Sequence, residues 1–229
     1  MHRDRELAEA AAAMKSSAEL LMAHGRRKGN WMATFSGKRF YPLDPRYEDI
    51  EMIDIAHALS NLCRYTGHCR QFYSVAEHCV IGTSAMARRL TMPKELIIEN
   101  QKLFLLHDAA EAYMNDLCRP VKKMPEFRQY EEAEYGLQNA INRRFHLPLD
   151  PLTYLPVSEM DNVMLATEAK ILFSQTDGWF FPEPHDPRIK LGCWNPNVAR
   201  ERFMMAWETL SKGQVFELPA GCTWLKIES

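Results

Sequence analysis

His107 and Asp108 stand side by side after the apolar residues Leu103, Leu105 and Leu106. A charged pair is costly in a segment built to be buried unless something compensates it. Neighbours on a helix point about 100° apart, so both side chains reach one ion only if it sits close against the face between them. Glu111 follows His107 by four residues and Asp108 by three, which puts it on that same face. Asp116 lies past the expected helix end, where an irregular segment can turn it back. A divalent metal needs further ligands. His78, early in one helix, and Asp161, near the start of a later one, complete a set of two imidazoles and two carboxylates. Such a mixed nitrogen and oxygen set suits Mn, Co, Fe, Ni or Zn and keeps positions open for water and substrate. Spacing alone leaves other readings standing. A His-Asp dipeptide occurs by chance in many proteins. His78 by itself reads as a buried, hydrogen-bonded histidine, and Asp150 and Asp177 compete with Asp161.

The elements that must position these residues are helical almost throughout. Residues 3–24 read as an Ala-rich amphipathic helix ended by Gly25 and the basic run Arg26 to Lys28. Residues 31–45 alternate aromatic and polar side chains around Ser36-Gly37, a hairpin-like pattern that Pro42 and Pro45 stop. Ile50, Ile53, Ala56 and Leu59 then recur at helical spacing. Ser74 to Glu77 has the capping-box form and opens a helix to about Leu90, with Glu77 as the box's acceptor rather than a catalyst. Pro93 starts a long apolar helix that carries His107-Asp108 near its end. Residues 125–145 and 157–173 are helical again, and Asn195-Pro196 caps a last helix ending near Gly213. Glu168, two turns past Asp161, reads as a solvated or supporting residue, and His57 as a core residue. His68 reads equally as a substrate contact or plain loop. Residues 177–194, with three prolines among Trp179, Phe180 and Phe181, form the longest irregular stretch, a lid or a partner surface. The three aromatics read as core or interface.

The chain's 229 residues suffice for one domain with modest additions, and 46% hydrophobic and 25% charged residues is ordinary globular composition. A formal net charge of -2 leaves no footprint for nucleic acid or an anionic membrane, so a small substrate fits better than a polymer. The six cysteines form no CxxC pair, which argues against a structural zinc module and fits a reduced, cytoplasmic setting. The first 25 residues read as neither signal nor transit peptide. No apolar run approaches the roughly 20 residues a spanning helix needs.

Four separated segments occur in order: F-Y-S-V-A-E-H ending at His78, L-L-H-D-A-A-E-A-Y around His107, N-D-L-C-R-P-V-K ending at Lys122, and M-D-N-V-M-L around Asp161. Over about residues 48–175 the chain resembles the HD-domain phosphohydrolase superfamily. Within it, the resemblance is to small nucleotide-cleaving members, the YfbR-like 5'-deoxynucleotidases and phage deoxynucleoside triphosphate hydrolases. The resemblance implies an all-α HD-domain helical bundle over 31–212, with an N-terminal extension (1–30), a C-terminal tail (213–229) and a short hairpin-like segment. It implies one divalent metal ion (Mn, Co, Fe, Ni, Zn or Mg) held by His78, His107, Asp108 and Asp161. Glu111 and Asp116 would lie beside the metal's water. Arg64-Tyr65 resembles the Arg-aromatic pair near the substrate phosphate and sugar, with Tyr in place of Trp and a spacing one residue short. Lys122 matches a Lys that faces a phosphate or solvent. Signalling-nucleotide hydrolases of the RelA/SpoT type carry HD-x-x-E-D, whereas Ala112 follows Glu111 here. The HD-x-G-K turn and G-Y-P motif of cyclic-dinucleotide enzymes do not occur. The implied activity is hydrolysis of a deoxynucleoside 5'-monophosphate or release of triphosphate from a deoxynucleoside triphosphate, by a homo-oligomer. The alternative from another class is a non-catalytic nucleotide sensor on the same scaffold.

Overall fold

A computed structural model describes residues 27–219, so the helix expected over 3–24 lies outside the described residues. Met32–Ala33 (β1) pairs antiparallel with Arg39–Phe40 (β2), Met32 opposite Phe40. Gly37, at φ 84°, supplies the left-handed residue that this turn requires. Everything else is helix and loop. Among the described residues the α-helices are Met52–Asn61 (α1), Val75–Arg89 (α2), Lys94–Leu105 (α3), Glu111–Met114 (α4), Arg119–Lys122 (α5), Arg128–Arg144 (α6), Leu155–Leu172 (α7) and Pro196–Ser211 (α8). The fold is all-α with one short hairpin near its start.

Local chemistry sets the helix ends. Ser74 Oγ accepts from Glu77 N at 3.1 Å to start α2, and Asn195 Oδ1 accepts from Val198 N at 3.1 Å to start α8. Every residue from Val75 to Met86 is buried, which makes α2 the axis of the molecule. It packs against α1, α3, α7 and α8. Gly82 permits its close approach to α3, because a Cβ there would fall 2.1 Å from the Phe104 ring. No helix among the described residues is long and apolar enough to cross a membrane.

Two expectations are corrected here. The helix begun at Pro93 does not carry His107-Asp108; α3 ends at Leu105. The His107 ring takes the Phe104 carbonyl at 2.6 Å and Gln138 of α6 takes the Leu106 carbonyl at 2.8 Å, so the ladder breaks into single turns before α4. Glu77 does not close a capping box. Its buried carboxylate accepts from the backbone N–H of Gly192, Cys193 and Trp194 at 2.7, 2.8 and 2.7 Å, which fastens the end of the 177–194 stretch to α2. Asp186 fastens the same stretch through Arg89 at 3.1 Å. Glu77→Ala removes this acceptor from one buried donor, Trp194 N–H, at about 1–3 kcal/mol, and from two half-buried donors, those of Gly192 and Cys193, at less each. The expected result is a loss of about 2–3 kcal/mol in guanidinium unfolding. An unchanged midpoint would mean that the clamp is unnecessary.

For two of the three aromatics read as core or interface, the core half of that reading fails. Phe180 is 83% exposed and Trp179 44%, so neither is core; Trp179 leans on Phe173 at 5.2 Å between ring centres. His57 is half-buried rather than core and stacks on Phe35 at 3.8 Å. His68 is exposed in its loop.

Candidate metal centre

α2, the turn after α3, and α7 each deliver part of one cluster. His78 lies in the first turn of α2 and is fully buried. Its Nε2 stands 3.3 Å from Asp161 Oδ1 on α7 and 3.9 Å from Asp108 Oδ2. His107 Nε2 stands 3.3 Å from Asp108 Oδ1 and 3.9 Å from Asp161 Oδ1. The break after Leu105 lets His107 and Asp108 turn to the same point, a convergence that adjacent residues on a continuous helix achieve less easily.

The other ring nitrogens fix the tautomers. His107 Nδ1 donates to the Phe104 carbonyl, which can only accept. His78 Nδ1 meets Glu168 Oε1 at 2.6 Å. Glu168 is fully buried; burial opposes its ionisation, yet Arg64 and His78 bring it down to about 2, so it accepts the His78 proton. Both Nε2 atoms are buried and make no hydrogen bond among the described residues. A histidine that donates through one nitrogen to a carboxylate or carbonyl and leaves the other bare is the arrangement of a metal-ligating imidazole.

Charges reinforce this. Burial resists protonation of His107, but Asp108 first and then Asp161 drive it well above the usual imidazole range. Burial likewise resists ionisation of Asp161, and its contacts to His107 and His78 hold it well below the usual carboxylate range. The cluster therefore attracts positive charge. Two bare imidazole nitrogens facing carboxylates fit a divalent ion: His78, His107 and Asp161 come close enough together that they could hold one, and Asp108 adjoins them through His107. A second grouping of Cys79, His107 and Asp108 is geometrically close, but burial pushes the Cys79 thiol up to about 11, away from the thiolate a metal needs.

Beside the cluster a cavity of about 210 Å³ is lined by His107, Asp108, Glu111, Lys122, Glu134 and Tyr135, among others. Glu111 is buried there and its Oε2 has no hydrogen-bond partner among the described residues. Burial, Asp108 and Asp116 raise its carboxyl well above the ordinary range. Asn115, at φ 75°, reverses the chain after α4 and brings Asp116 back, and burial also raises that carboxyl. Lys122 pairs with Glu134 in the cavity wall. A larger cavity, 610 Å³, lies between the end of α7 and residues 173–185 and contains none of the cluster residues.

Arg64 sits in a short turn in which Tyr65 (φ 57°) and Thr66 (φ 54°) are left-handed, a strain typical of functional sites. It donates to Asp108 Oδ2 at 3.3 Å and Glu168 Oε2 at 3.2 Å, so it braces the cluster itself. Tyr65 commits its hydroxyl to Glu168 at 2.6 Å. Tyr73 adds a further bond to Glu168 at 3.0 Å. Glu168 is thus the buried hub behind the site rather than a solvated residue. Its spacing from Asp161, two turns on one face of α7, is the sequence signal for that position; Tyr73 carries none.

The chain is 38% identical over 154 residues to the uncharacterized protein YfdR of Escherichia coli (strain K12), covering 67% of this chain and 78% of that one. The chain belongs to the YfdR family. A second member of this similarity group, the uncharacterized protein RCAP_rcc00048 of Rhodobacter capsulatus, is 38% identical over 124 residues, 53% of this chain and 61% of its own. No family model matches the chain.

Proposed function

We propose that this YfdR-family chain is a phosphohydrolase of the HD-domain type, dependent on one divalent metal ion, that hydrolyses a phosphate ester of a small deoxynucleotide. The observation that carries this reading is the pair of bare, buried Nε2 atoms of His78 and His107 turned toward Asp108 and Asp161. His78, His107, Asp108 and Asp161 would hold a divalent cation, which would supply Lewis acidity toward a phosphoryl oxygen and a water. The chain's own groups do the rest. Asp116 or Glu111 orients the attacking water and takes its proton as its oxygen bonds to phosphorus. The ester P–O bond breaks and the leaving oxygen regains a proton. Arg64 holds Asp108 in place, and Lys122 contributes positive charge to the cavity wall. The substrate, the cytoplasmic location and a homo-oligomeric assembly are part of this reading. They rest on the motif resemblance and the near-neutral charge, which disfavours a nucleic-acid partner.

Purified protein with Mn²⁺ is to be incubated with ribo- and deoxynucleoside mono-, di- and triphosphates, and the products separated. Phosphate released from monophosphates establishes a 5'-nucleotidase; intact triphosphate from a deoxynucleoside triphosphate establishes a triphosphohydrolase. Nucleotide binding without any product would replace the hydrolase with a sensor. Asp116→Asn is expected to lower kcat by about 10²–10⁴-fold with Mn²⁺ affinity unchanged. Full activity in that variant removes Asp116 from the reaction.

A further inference from the structure

The two carboxylates of the cluster are divided in the same way. Asp108 turns Oδ1 toward His107 and gives Oδ2 to Arg64. Asp161 turns Oδ1 toward both imidazoles and gives Oδ2 to Arg119 Nη2 at 3.3 Å. Two arginines therefore bracket the cluster, but they are not equivalent. The Arg64 side chain is 12% exposed and neutralised by two carboxylates, whereas the Arg119 side chain is 60% exposed and makes that single contact. Of the other cations on this side, Lys122 is paired to Glu134 and Lys123 to Glu131. The cavity beside the cluster is otherwise lined by the carboxyl groups of Asp108, Glu111, Glu131 and Glu134, by His107 and by uncharged side chains, so it offers an entering anion no unpaired lysine or arginine. Arg119 lies outside this lining, on the Oδ2 side of Asp161, and its exposed fork retains donors that bond no other group among the described residues.

We propose that Arg119 docks the phosphoryl oxygens of the substrate, one edge of its guanidinium on Asp161 Oδ2 and the other on the anion. This inference rests on the phosphohydrolase reading for its substrate and deepens it by naming the group that receives the phosphate. A planar fork can hold a carboxylate and a phosphate at once, which the ammonium of a lysine does less well.

The test uses the full chain loaded with Mn²⁺ and inorganic phosphate as the probe, followed by calorimetry. Wild type is expected to bind phosphate, Arg119→Ala to bind it about tenfold more weakly or worse, and Arg119→Lys to fall between them. Mn²⁺ titrations of the three proteins are expected to agree. Wild-type phosphate affinity in Arg119→Ala overturns the proposal. So does a matching loss of Mn²⁺ binding in that variant, which would make Arg119 only a brace for Asp161. Arg119-dependent phosphate binding in a protein that hydrolyses no nucleotide would sink the hydrolase reading and leave this inference standing.

Discussion

Asp108→Ala is expected to lower nucleotide hydrolysis by at least about a thousandfold, the several kcal/mol that a bound cation contributes to a charged transition state. Asp108 faces the bare Nε2 of His107 at 3.3 Å through one oxygen and takes Arg64 on the other. Removing it deletes a quarter of the proposed ligand set. It also releases Arg64 toward Glu168 alone, so the loss affects the ion and its support together. Asp108→Asn tests the charge separately, because it keeps the shape and one acceptor while removing the anion. Steady-state rates at saturating Mn²⁺, with circular dichroism to establish that each variant is folded, decide the matter. Turnover within tenfold of wild type in both variants would contradict the assignment.

Glu168→Ala is expected to cost about 3–5 kcal/mol of stability, the scale of breaking a buried charge network from one side. Four donors converge on this carboxylate: Arg64 Nε, the hydroxyls of Tyr65 and Tyr73, and His78 Nδ1. Alanine would leave all four without it. Arg64 would retain Asp108, but His78 would lose the bond that fixes its tautomer, so metal affinity is expected to fall about 10–100-fold as well. Glu168→Gln, which keeps an acceptor and the volume, should lose less on both measures. The pH dependence follows the same residue. Its folded-state carboxyl lies near 2 against an ordinary 4.5, so its contribution is fully present above 4.5 and is lost as pH falls toward 2. That interval corresponds to about 3 kcal/mol. Guanidinium unfolding of wild type and Glu168→Gln at pH 7 and at pH 3 reads about 2 kcal/mol of it; a Glu168→Ala protein as stable as wild type at pH 7 would refute the hub.

The helices were legible wherever their ends are set by neighbouring residues. Ser74 and Asn195-Pro196 start α2 and α8 as their types require, and Gly213, at φ 70°, follows the end of α8. The hairpin around Gly37 was legible for the same reason. What escaped was decided by distant partners. The end of α3 depends on a histidine ring turned back on Phe104 and on Gln138 arriving from α6. Glu77 has a capping-box position, but its acceptors serve N–H groups 115 to 117 residues away. Glu168 became a hub because residues near 64, 73 and 78 fold against α7, a fact that no local periodicity contains. The candidate ligands were legible as residue types in order, and the structure draws their oxygens and nitrogens to within 3.3–3.9 Å. Arg119 was visible only as a letter inside a motif, because its meaning comes from the contact with Asp161.

The most direct measurement is a calorimetric titration of Mn²⁺ into metal-free full-length protein, with Asp161→Ala alongside. One equivalent bound by wild type and none by the variant is the predicted result. A wild type that binds no ion, or a variant that binds it equally well, would contradict the metal centre and with it the hydrolase built upon it.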